Sequence, residues 1–261
     1  MKVFITGASS GIGEALAYAY AKRCSGSPVI IGLAARRVDM LQKLAQNLQE
    51  KHQIQTVIYP LDVRDKTALA TAAQDFIKRF GAPDIVIASA GVSRGTLTEH
   101  QEDIKAIQVM MEINLMGMVH TFQPFIAAMK HAGQGQLVGI ASVAGIRGLP
   151  GAGAYSASKA ATISYLESLR VEMSQDNIAV TTIVPGYVRT PMTAVNTFNM
   201  PFLMDADVFA NKFLIAVARK SRFCIIPWQM GILVGLMRLI PSFLWDYLVK
   251  NAPHKSRGDV E

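Results

Sequence analysis

The chain has 261 residues, of which 51% are hydrophobic and 17% charged, and this favours one large α/β domain over two small ones. The formal net charge is +7, but the 26 lysines and arginines are scattered and form no run interleaved with aromatic residues, which disfavours nucleic-acid binding. Cys24 and Cys224 are far apart and lack metal-ligand spacing, so we expect two small buried hydrophobic side chains, no disulfide and no metal site.

Apolar runs of strand length alternate along the chain with segments of helical periodicity. The runs are residues 2–6, 29–35, 55–61, 84–89, 136–142, 178–184 and 222–226. Apolar strands joined by helical crossovers form parallel sheets covered on both faces, so the pattern predicts a doubly wound, Rossmann-type α/β fold of about seven strands. Glycines soon interrupt the first apolar run, and we therefore expect no secretory signal and a cytoplasmic protein.

The first predicted strand leads into the sequence GASSGIG, residues 7–13. Glycine in the interior of an element costs roughly 0.5–1 kcal/mol relative to alanine, so three glycines here need a compensating reason. Glycines let the chain turn tightly, let a pyrophosphate approach the backbone and allow a helix to begin with its amides facing an anion. The spacing differs from G-x-G-x-x-G, so the loop alone fits either a dinucleotide site or a plain strand-to-helix turn.

The end of the second predicted strand bears on the choice of cofactor. In NAD-binding folds an acidic residue about twenty positions beyond the glycine loop holds the ribose 2′-hydroxyl, whereas NADP-binding folds offer arginine to the 2′-phosphate. Ala35 stands at the acidic position, and Arg36 can meet a phosphate with bidentate geometry. We therefore expect NADP(H) rather than NAD(H), the alternative being that Arg36 and Arg37 are solvated cations opening the next helix.

Two further positions carry the chemistry of proton transfer. Tyr155 and Lys159 lie four residues apart on a predicted helix and so share one face. A free tyrosine has a pKa of roughly 10, and a neighbouring ammonium should lower it towards neutrality. Ser142, thirteen residues before Tyr155, ends a predicted strand where its hydroxyl can hold the same substrate oxygen. Taken alone, the Tyr-Lys pair also fits an ordinary half-exposed helix face.

Over about residues 1–226 the chain resembles the short-chain dehydrogenase/reductase family in its single-domain form. The motifs that carry the resemblance are Thr6-Gly7-x-x-x-Gly11-x-Gly13, Leu61-Asp62-Val63, Asn114, Ser142, Tyr155-x-x-x-Lys159 and Pro185-Gly186 followed by Thr190. The chain departs from the family at Ser89-Ala90-Gly91, where the family has Asn-Ala-Gly, and this puts the local hydrogen bonds in doubt.

The resemblance implies a role for each matching residue. Tyr155 would be the acid/base, Lys159 its activator and a ribose ligand, Ser142 the holder of the substrate oxygen, and Asn114 the holder of a water in a proton relay. The residues assigned to cofactor binding are Gly7, Ser9, Ser10, Gly11, Ile12, Gly13, Arg36, Arg37, Asp62, Val63, Ser89, Ala90, Gly91, Tyr155, Lys159, Pro185, Gly186, Val188 and Thr190. The resemblance also implies a homodimer or homotetramer built on the long helices near Asn114 and Tyr155.

The segment between Pro185 and about Asn211 would close over the substrate. It is rich in flexible apolar side chains, namely Met192, Phe198, Met200, Phe202, Leu203 and Met204. These suit a hydrophobic small molecule such as a lipid-like, steroid-like or acyl ketone, unless they merely pack the segment against the body. We thus expect an NADP(H)-dependent oxidoreductase that interconverts a carbonyl and a secondary alcohol, with a non-catalytic dinucleotide sensor as the alternative.

Residues 227–261 are interpreted as an apolar C-terminal extension of the same domain with a basic tail. Fifteen uncharged residues, 223–237, are fewer than the roughly 18–20 that a membrane-spanning helix needs. Interfacial aromatic and basic residues follow or lie within this stretch, namely Trp228, Trp245, Tyr247, Lys250, Lys255 and Arg257. A peripheral membrane contact, a subunit interface and a cap over the substrate pocket all remain open, as does the hypothesis of a membrane-associated scaffold.

Overall fold

The computed structural model describes residues 1–23, 28–252 and 254–258 and contains a seven-stranded parallel sheet. The strands in chain order are β1 (Lys2–Thr6), β2 (Ile30–Ala35), β3 (Gln55–Pro60), β4 (Ile85–Ala88), β5 (Gly135–Ile140), β6 (Ile178–Pro185), β7 (Val188–Arg189), β8 (Met204–Asp205) and β9 (Phe223–Ile226). The short strands β7 and β8 form a separate two-stranded sheet. The other seven match the predicted runs to within two residues, which confirms the doubly wound fold.

The order of the strands creates a crevice beside β1. The sheet runs β3-β2-β1-β4-β5-β6-β9, so the chain moves outward from β1 to β3 and then returns to place β4 on the other side of β1. Ligands of such sheets bind at the carboxyl ends of the strands where the order reverses. The glycine loop after β1 and the Ser89-Ala90-Gly91 segment after β4 therefore lie side by side.

Helices cover both faces of the sheet and enclose two apolar cores. Their bounds are α1 (Gly11–Arg23), α2 (Val38–His52), α3 (Lys66–Phe80), α4 (Asp103–Met111), α5 (Gly117–Ala132), α6 (Gly153–Glu172), α7 (Pro191–Ala194), α8 (Ala206–Ala218), α9 (Trp228–Leu239) and α10 (Ser242–Val249). Side chains alternate along β1, so Val3 and Ile5 enter the core under α1, α2 and α8, and Phe4 enters the other core. Phe4 packs against Phe125 at 4.8 Å between ring centroids, a contact worth about 0.5–1.5 kcal/mol beyond its buried area.

After β9 the chain forms α9 and α10, and it bends by 118° between these two helices. Across the described ranges, no single helix has both the length and the apolarity needed to span a bilayer. The bent pair reaches that length and apolarity only when its two helices are counted together. Arg147, in the loop after β5, donates to the carbonyls of Met237 and Ile240 and stacks 4.4 Å from the centroid of Trp245. The helix pair is thereby fastened to the loop that leads into α6.

Of the two cysteines that were expected to be buried, the structure describes Cys224. Cys224 lies in β9 and is half-buried, and burial raises the pKa of its thiol. Cys24 lies outside the described residues, so the prediction for it stays a prediction.

Candidate active site

The glycine-rich loop passes against the segment that follows β4. Gly7 has a φ of +69°, and a Cβ at this position would lie 2.7 Å from the backbone nitrogen of Ala90. A Cβ at Gly13 would overlap the carbonyl of Gly7. Because only glycine tolerates such an approach, the loop can bring its backbone and the first amides of α1 to the crevice.

Arg37, which follows β2, is bound to the glycine loop. Its Nη2 donates to Ser9 Oγ at 3.0 Å and to Ser10 Oγ at 2.6 Å. Arg37 is also exposed and directly precedes α2, so the alternative of a solvated cation that opens this helix stays open.

Asp62 lies at the same rim, beyond β3. Burial raises the pKa of this carboxyl, but hydrogen bonds from Arg64, together with the charges of Arg64 and Arg36, outweigh burial and hold the pKa below its usual value. Arg36 thus lies within electrostatic reach of Asp62, whose carboxylate is also paired with Arg64 at 2.6 Å.

The crevice is a cleft of about 320 Å³ at the carboxyl ends of the strands. The predicted cofactor residues that line it are Gly7, Ser9, Ser10, Gly11, Ile12, Gly13, Arg36, Arg37, Asp62, Val63, Ser89, Ala90, Gly91 and Thr190. The other five predicted residues do not line it, namely Tyr155, Lys159, Pro185, Gly186 and Val188. A Cβ at Gly186 would lie 2.7 Å from Met230 Cγ in α9. The cleft is also lined by Val92, Ile113 and Pro191, which were not predicted from the sequence; their signal is that each adjoins a motif residue.

Ser89, the residue that departs from the family pattern, lines this cleft. Its Oγ is buried and has no hydrogen-bond partner within the described part of the chain. Leaving a buried polar group unpaired costs about 1–3 kcal/mol, so a polar ligand in the cleft would gain a ready partner.

Asn114 lies in a π-helical turn, Glu112–Met116, between α4 and α5. The side chain is fully buried; its Nδ2 donates to Val92 O at 3.0 Å and to Ser158 Oγ at 2.9 Å, while its Oδ1 accepts from Val92 N at 2.8 Å. The amide therefore fastens the segment after β4 to α6. The water relay assigned to Asn114 by resemblance stays a prediction.

Ser142 and Tyr155 meet at the end of β5. Ser142 Oγ accepts from Ala144 N at 3.2 Å and is hydrogen-bonded to the Tyr155 phenol. Burial raises the pKa of Tyr155, the bond to Ser142 lowers it, and the neighbouring Tyr187 raises it, with a net upward shift. The lowering that the sequence led us to expect from Lys159 is therefore not found: burial is the largest cause of the shift, and the bond to Ser142, not the ammonium, is what opposes it.

Lys159 lies between the tyrosine and the cleft. Its side chain is buried, Nζ donates to Ile140 O at 2.8 Å, and Nζ lies 6.0 Å from the centroid of the Tyr155 ring. A Cβ at Gly91, which lines the cleft, would be 3.5 Å from this Nζ. Burial lowers the pKa of Lys159 to about 8.

The substrate-side segment is only partly packed against the body. The six apolar residues singled out from the sequence are half-buried or exposed, and none is buried: Met192, Phe198, Met200, Phe202, Leu203 and Met204. Phe198 packs edge-on to Tyr187, with 6.3 Å between ring centroids, and Met192 lines the cleft. Packing alone therefore does not account for these side chains.

Comparisons with known proteins agree with this geometry. Residues 1–199 match the family model described as short chain dehydrogenase. An uncharacterized oxidoreductase of Myxococcus xanthus is 34% identical over 242 residues, covering 93% of each chain. The 11-beta-hydroxysteroid dehydrogenase-like 2 of Arabidopsis thaliana is 37% identical over 252 residues, covering 95% of this chain and 80% of that protein. A short-chain dehydrogenase from Sphingobium yanoikuyae, solved in complex with NADPH, superposes with a TM-score of 0.76 at 25% identity, covering 92% of this chain and 96% of that one.

Proposed function

Because the chain belongs to the short chain dehydrogenase family of oxidoreductases, we propose that it interconverts a carbonyl and a secondary alcohol with NADP(H) as cofactor. The observation that carries this proposal is the meeting of Ser142, Tyr155 and Lys159 beside a glycine-lined cleft. A dinucleotide sensor would need the cleft alone, without a buried hydroxyl and a buried cation next to it.

The cleft fits a dinucleotide that carries a 2′-phosphate. The backbone of the glycine loop and the amides of α1 would hold the pyrophosphate, and Arg36 and Arg37 would meet the phosphate. Lys159 would hold the nicotinamide ribose, as the family resemblance implies. When bound, NADP(H) supplies or accepts a hydride. The NADPH in the Sphingobium yanoikuyae structure supports this choice.

The chain's own residues would handle the proton. As a carbonyl is reduced its oxygen gains negative charge, and Tyr155 would donate the phenolic proton while Ser142 holds that oxygen. Burial raises the pKa of Tyr155, so this phenol carries the proton that a carbonyl oxygen would receive during reduction. In the oxidative direction the roles reverse.

The substrate we propose is an apolar ketone that is lipid-like, steroid-like or acyl. The half-exposed methionine and phenylalanine side chains of residues 185–211 support this, since flexible apolar groups adapt to irregular hydrophobic shapes. The hydroxysteroid dehydrogenase-like relative points the same way.

A panel of aliphatic, steroid and acyl ketones tests this function, with the absorbance of NADPH as the readout and NADH alongside. We expect NADPH to be consumed with at least one apolar ketone, and NADH to be consumed more slowly. Binding of NADPH without turnover of any ketone, or of any matching alcohol with NADP⁺, would favour the sensor instead.

We also propose that the outer face of α9 and α10 binds the surface of a membrane. Four large apolar side chains on this face are more than 60% exposed, namely Trp228 at 64%, Leu239 at 78%, Phe243 at 77% and Tyr247 at 68%. Aromatic side chains are favoured at the boundary between water and lipid, and exposed cations such as Arg238 and Lys250 are attracted to an anionic bilayer surface. The rest of the basic tail contributes less than expected, because Lys255 and Arg257 are bound within the protein.

Flotation with vesicles of phosphatidylcholine and phosphatidylserine tests the membrane contact. We expect the intact chain to float and the double variant Leu239→Ser with Phe243→Ser to remain at the bottom. Val208→Ser, which changes an exposed apolar residue on α8, is the matched control and should float. Equal flotation of wild type and double variant would count against the membrane contact. So would a wild-type dimer that the double variant disrupts and Val208→Ser does not, because the face would then be a subunit interface.

The homodimer or homotetramer stays a proposal. Ile104, Met116 and Val171 are exposed apolar side chains on the helices near Asn114 and Tyr155 and would be covered in such an assembly. A sizing column measures the assembly directly.

A further inference from the structure

Residues 254–258 fold back over the substrate side of the cleft. The amide of Gly95, in the segment after β4, donates to Ser256 O at 3.0 Å. On the other side, a Cβ at Gly151 would lie 2.6 Å from His254 Cγ, so the imidazole rests on the loop that precedes α6. Gly151 is four residues before Tyr155. Residues 254–258, hereafter the C-terminal strap, therefore bridge the two segments that border the reaction site.

An ion pair holds the C-terminal strap in place. Arg257 donates from Nε to Asp103 Oδ2 at 2.9 Å and from Nη2 to Glu102 Oε1 at 2.8 Å. Asp103 is only 4% exposed and also accepts the amide of Leu97 at 2.8 Å. The hydrogen bond from Arg257 is the main reason that the pKa of Asp103 is held below its usual value. The strap is thus anchored at the start of α4.

Between these anchors the strap places one cation beside the cleft. Lys255 Nζ donates to Ser93 Oγ at 3.1 Å and to Met192 O at 3.4 Å. Met192 lines the cleft, and Ser93 is two residues beyond Gly91, which faces Lys159. Lys255 is half-buried, and within the described ranges no carboxylate pairs with it. Burial and the nearby Arg94 lower its pKa to about 8.

We propose that Lys255 is an anion-binding group of the substrate pocket, and that the C-terminal strap selects ketones whose apolar body carries a carboxylate. Both hydrogen-bond partners of Lys255 are neutral oxygens, and its ammonium has three N–H donors. An anionic oxygen is therefore the strongest partner that Lys255 can bind. The inference rests on the proposed oxidoreductase function, which says where the substrate binds. It adds the chemical nature of the polar end of that substrate.

A binding titration tests Lys255 without turnover. Decanoate and 1-decanol are titrated, with and without NADPH, into wild type, Lys255→Met, Lys255→Arg and the control Lys51→Met, whose lysine is exposed at the end of α2. We expect wild type, Lys255→Arg and Lys51→Met to bind decanoate roughly tenfold more tightly than decanol, and Lys255→Met to lose this preference. In wild type the preference should fall as the pH rises through about 8.

Equal binding of the two probes to wild type, or an unchanged preference in Lys255→Met, would overturn the inference. An equal loss in Lys51→Met would do the same, because it would show an effect of net charge alone. A turnover arm compares 9-oxodecanoate with 2-decanone, and we expect the keto acid to be favoured by wild type. If these two ketones and every ketone of the panel above are left unreduced, the proposed function fails, while the titration still decides the role of Lys255.

Discussion

The two sides of the cleft are assembled by different kinds of contact. On the cofactor side, backbone meets backbone, as where Gly7 passes Ala90 too closely for any side chain. On the substrate side, long side chains reach across the fold, as where Lys255 meets Ser93. Backbone contacts exclude most substitutions by steric overlap, whereas side-chain contacts allow many residues. The cofactor side of the site thus accepts few substitutions, and we expect specificity to vary on the substrate side.

The largest effect is expected where the two sides meet, at Tyr155. Tyr155→Phe should lower turnover by about 10²–10⁴-fold, the usual contribution of an acid–base group, while the affinity for NADPH changes little. Steady-state rates and an NADPH titration measure the two quantities. Tyr165→Phe, on the same helix, is the control and should retain turnover. Near-normal turnover in Tyr155→Phe would remove this residue from the chemistry.

On the cofactor side, Arg36→Ala should reduce the preference for NADPH over NADH by roughly 10- to 100-fold, because a charged hydrogen bond to phosphate is lost. The ratio of kcat/KM for the two cofactors is the measurement. Arg219→Ala, an exposed arginine after α8, should leave the ratio unchanged. An unchanged ratio in Arg36→Ala would mean that the 2′-phosphate is not recognised by Arg36.

The buried Lys159 should make the cofactor side sensitive to pH. Its pKa of about 8 means that the ammonium loses its proton as the pH rises through this value, so NADPH should bind more weakly above about pH 8. Between about pH 8 and 10.5 this lysine is protonated in the unfolded chain, where its pKa is 10.5, and has lost its proton in the folded protein. The contribution of Lys159 to the free energy of unfolding therefore rises with pH between these two values. NADPH titrations across the range should show the change, and Lys159→Met should show a flat profile. A wild-type profile as flat as that of the variant would contradict the prediction.

The smallest effect is expected at Ser89. Ser89→Ala removes a buried hydroxyl without a partner and should raise the melting temperature of the cofactor-free protein by about 2–4 °C. With NADPH present the gain should shrink, since a ligand in the cleft can pair with this hydroxyl. Thermal unfolding with and without NADPH measures both, and Ser164→Ala, exposed on α6, is the control. A lower melting temperature in the cofactor-free variant would show that Ser89 Oγ has a stabilising partner.

The sequence by itself determined the sheet and the predicted catalytic set. Seven apolar runs at regular spacing can bury their side chains only in a covered parallel sheet, and a spacing of four places Tyr155 and Lys159 on one helical face. These are local or periodic properties, which a sequence displays directly.

Only the tertiary structure decided the direction of the pKa shift at Tyr155 and the place of the basic tail. The first depends on the burial of the phenol, which raises the pKa by more than the hydrogen bond with Ser142 lowers it. The second depends on Lys255 meeting Ser93 and Arg257 meeting Asp103, pairs separated by 162 and 154 residues. No periodicity or motif links positions so far apart in the sequence. Such a contact forms only when all the helices, strands and loops between the two residues have taken up their places in the fold.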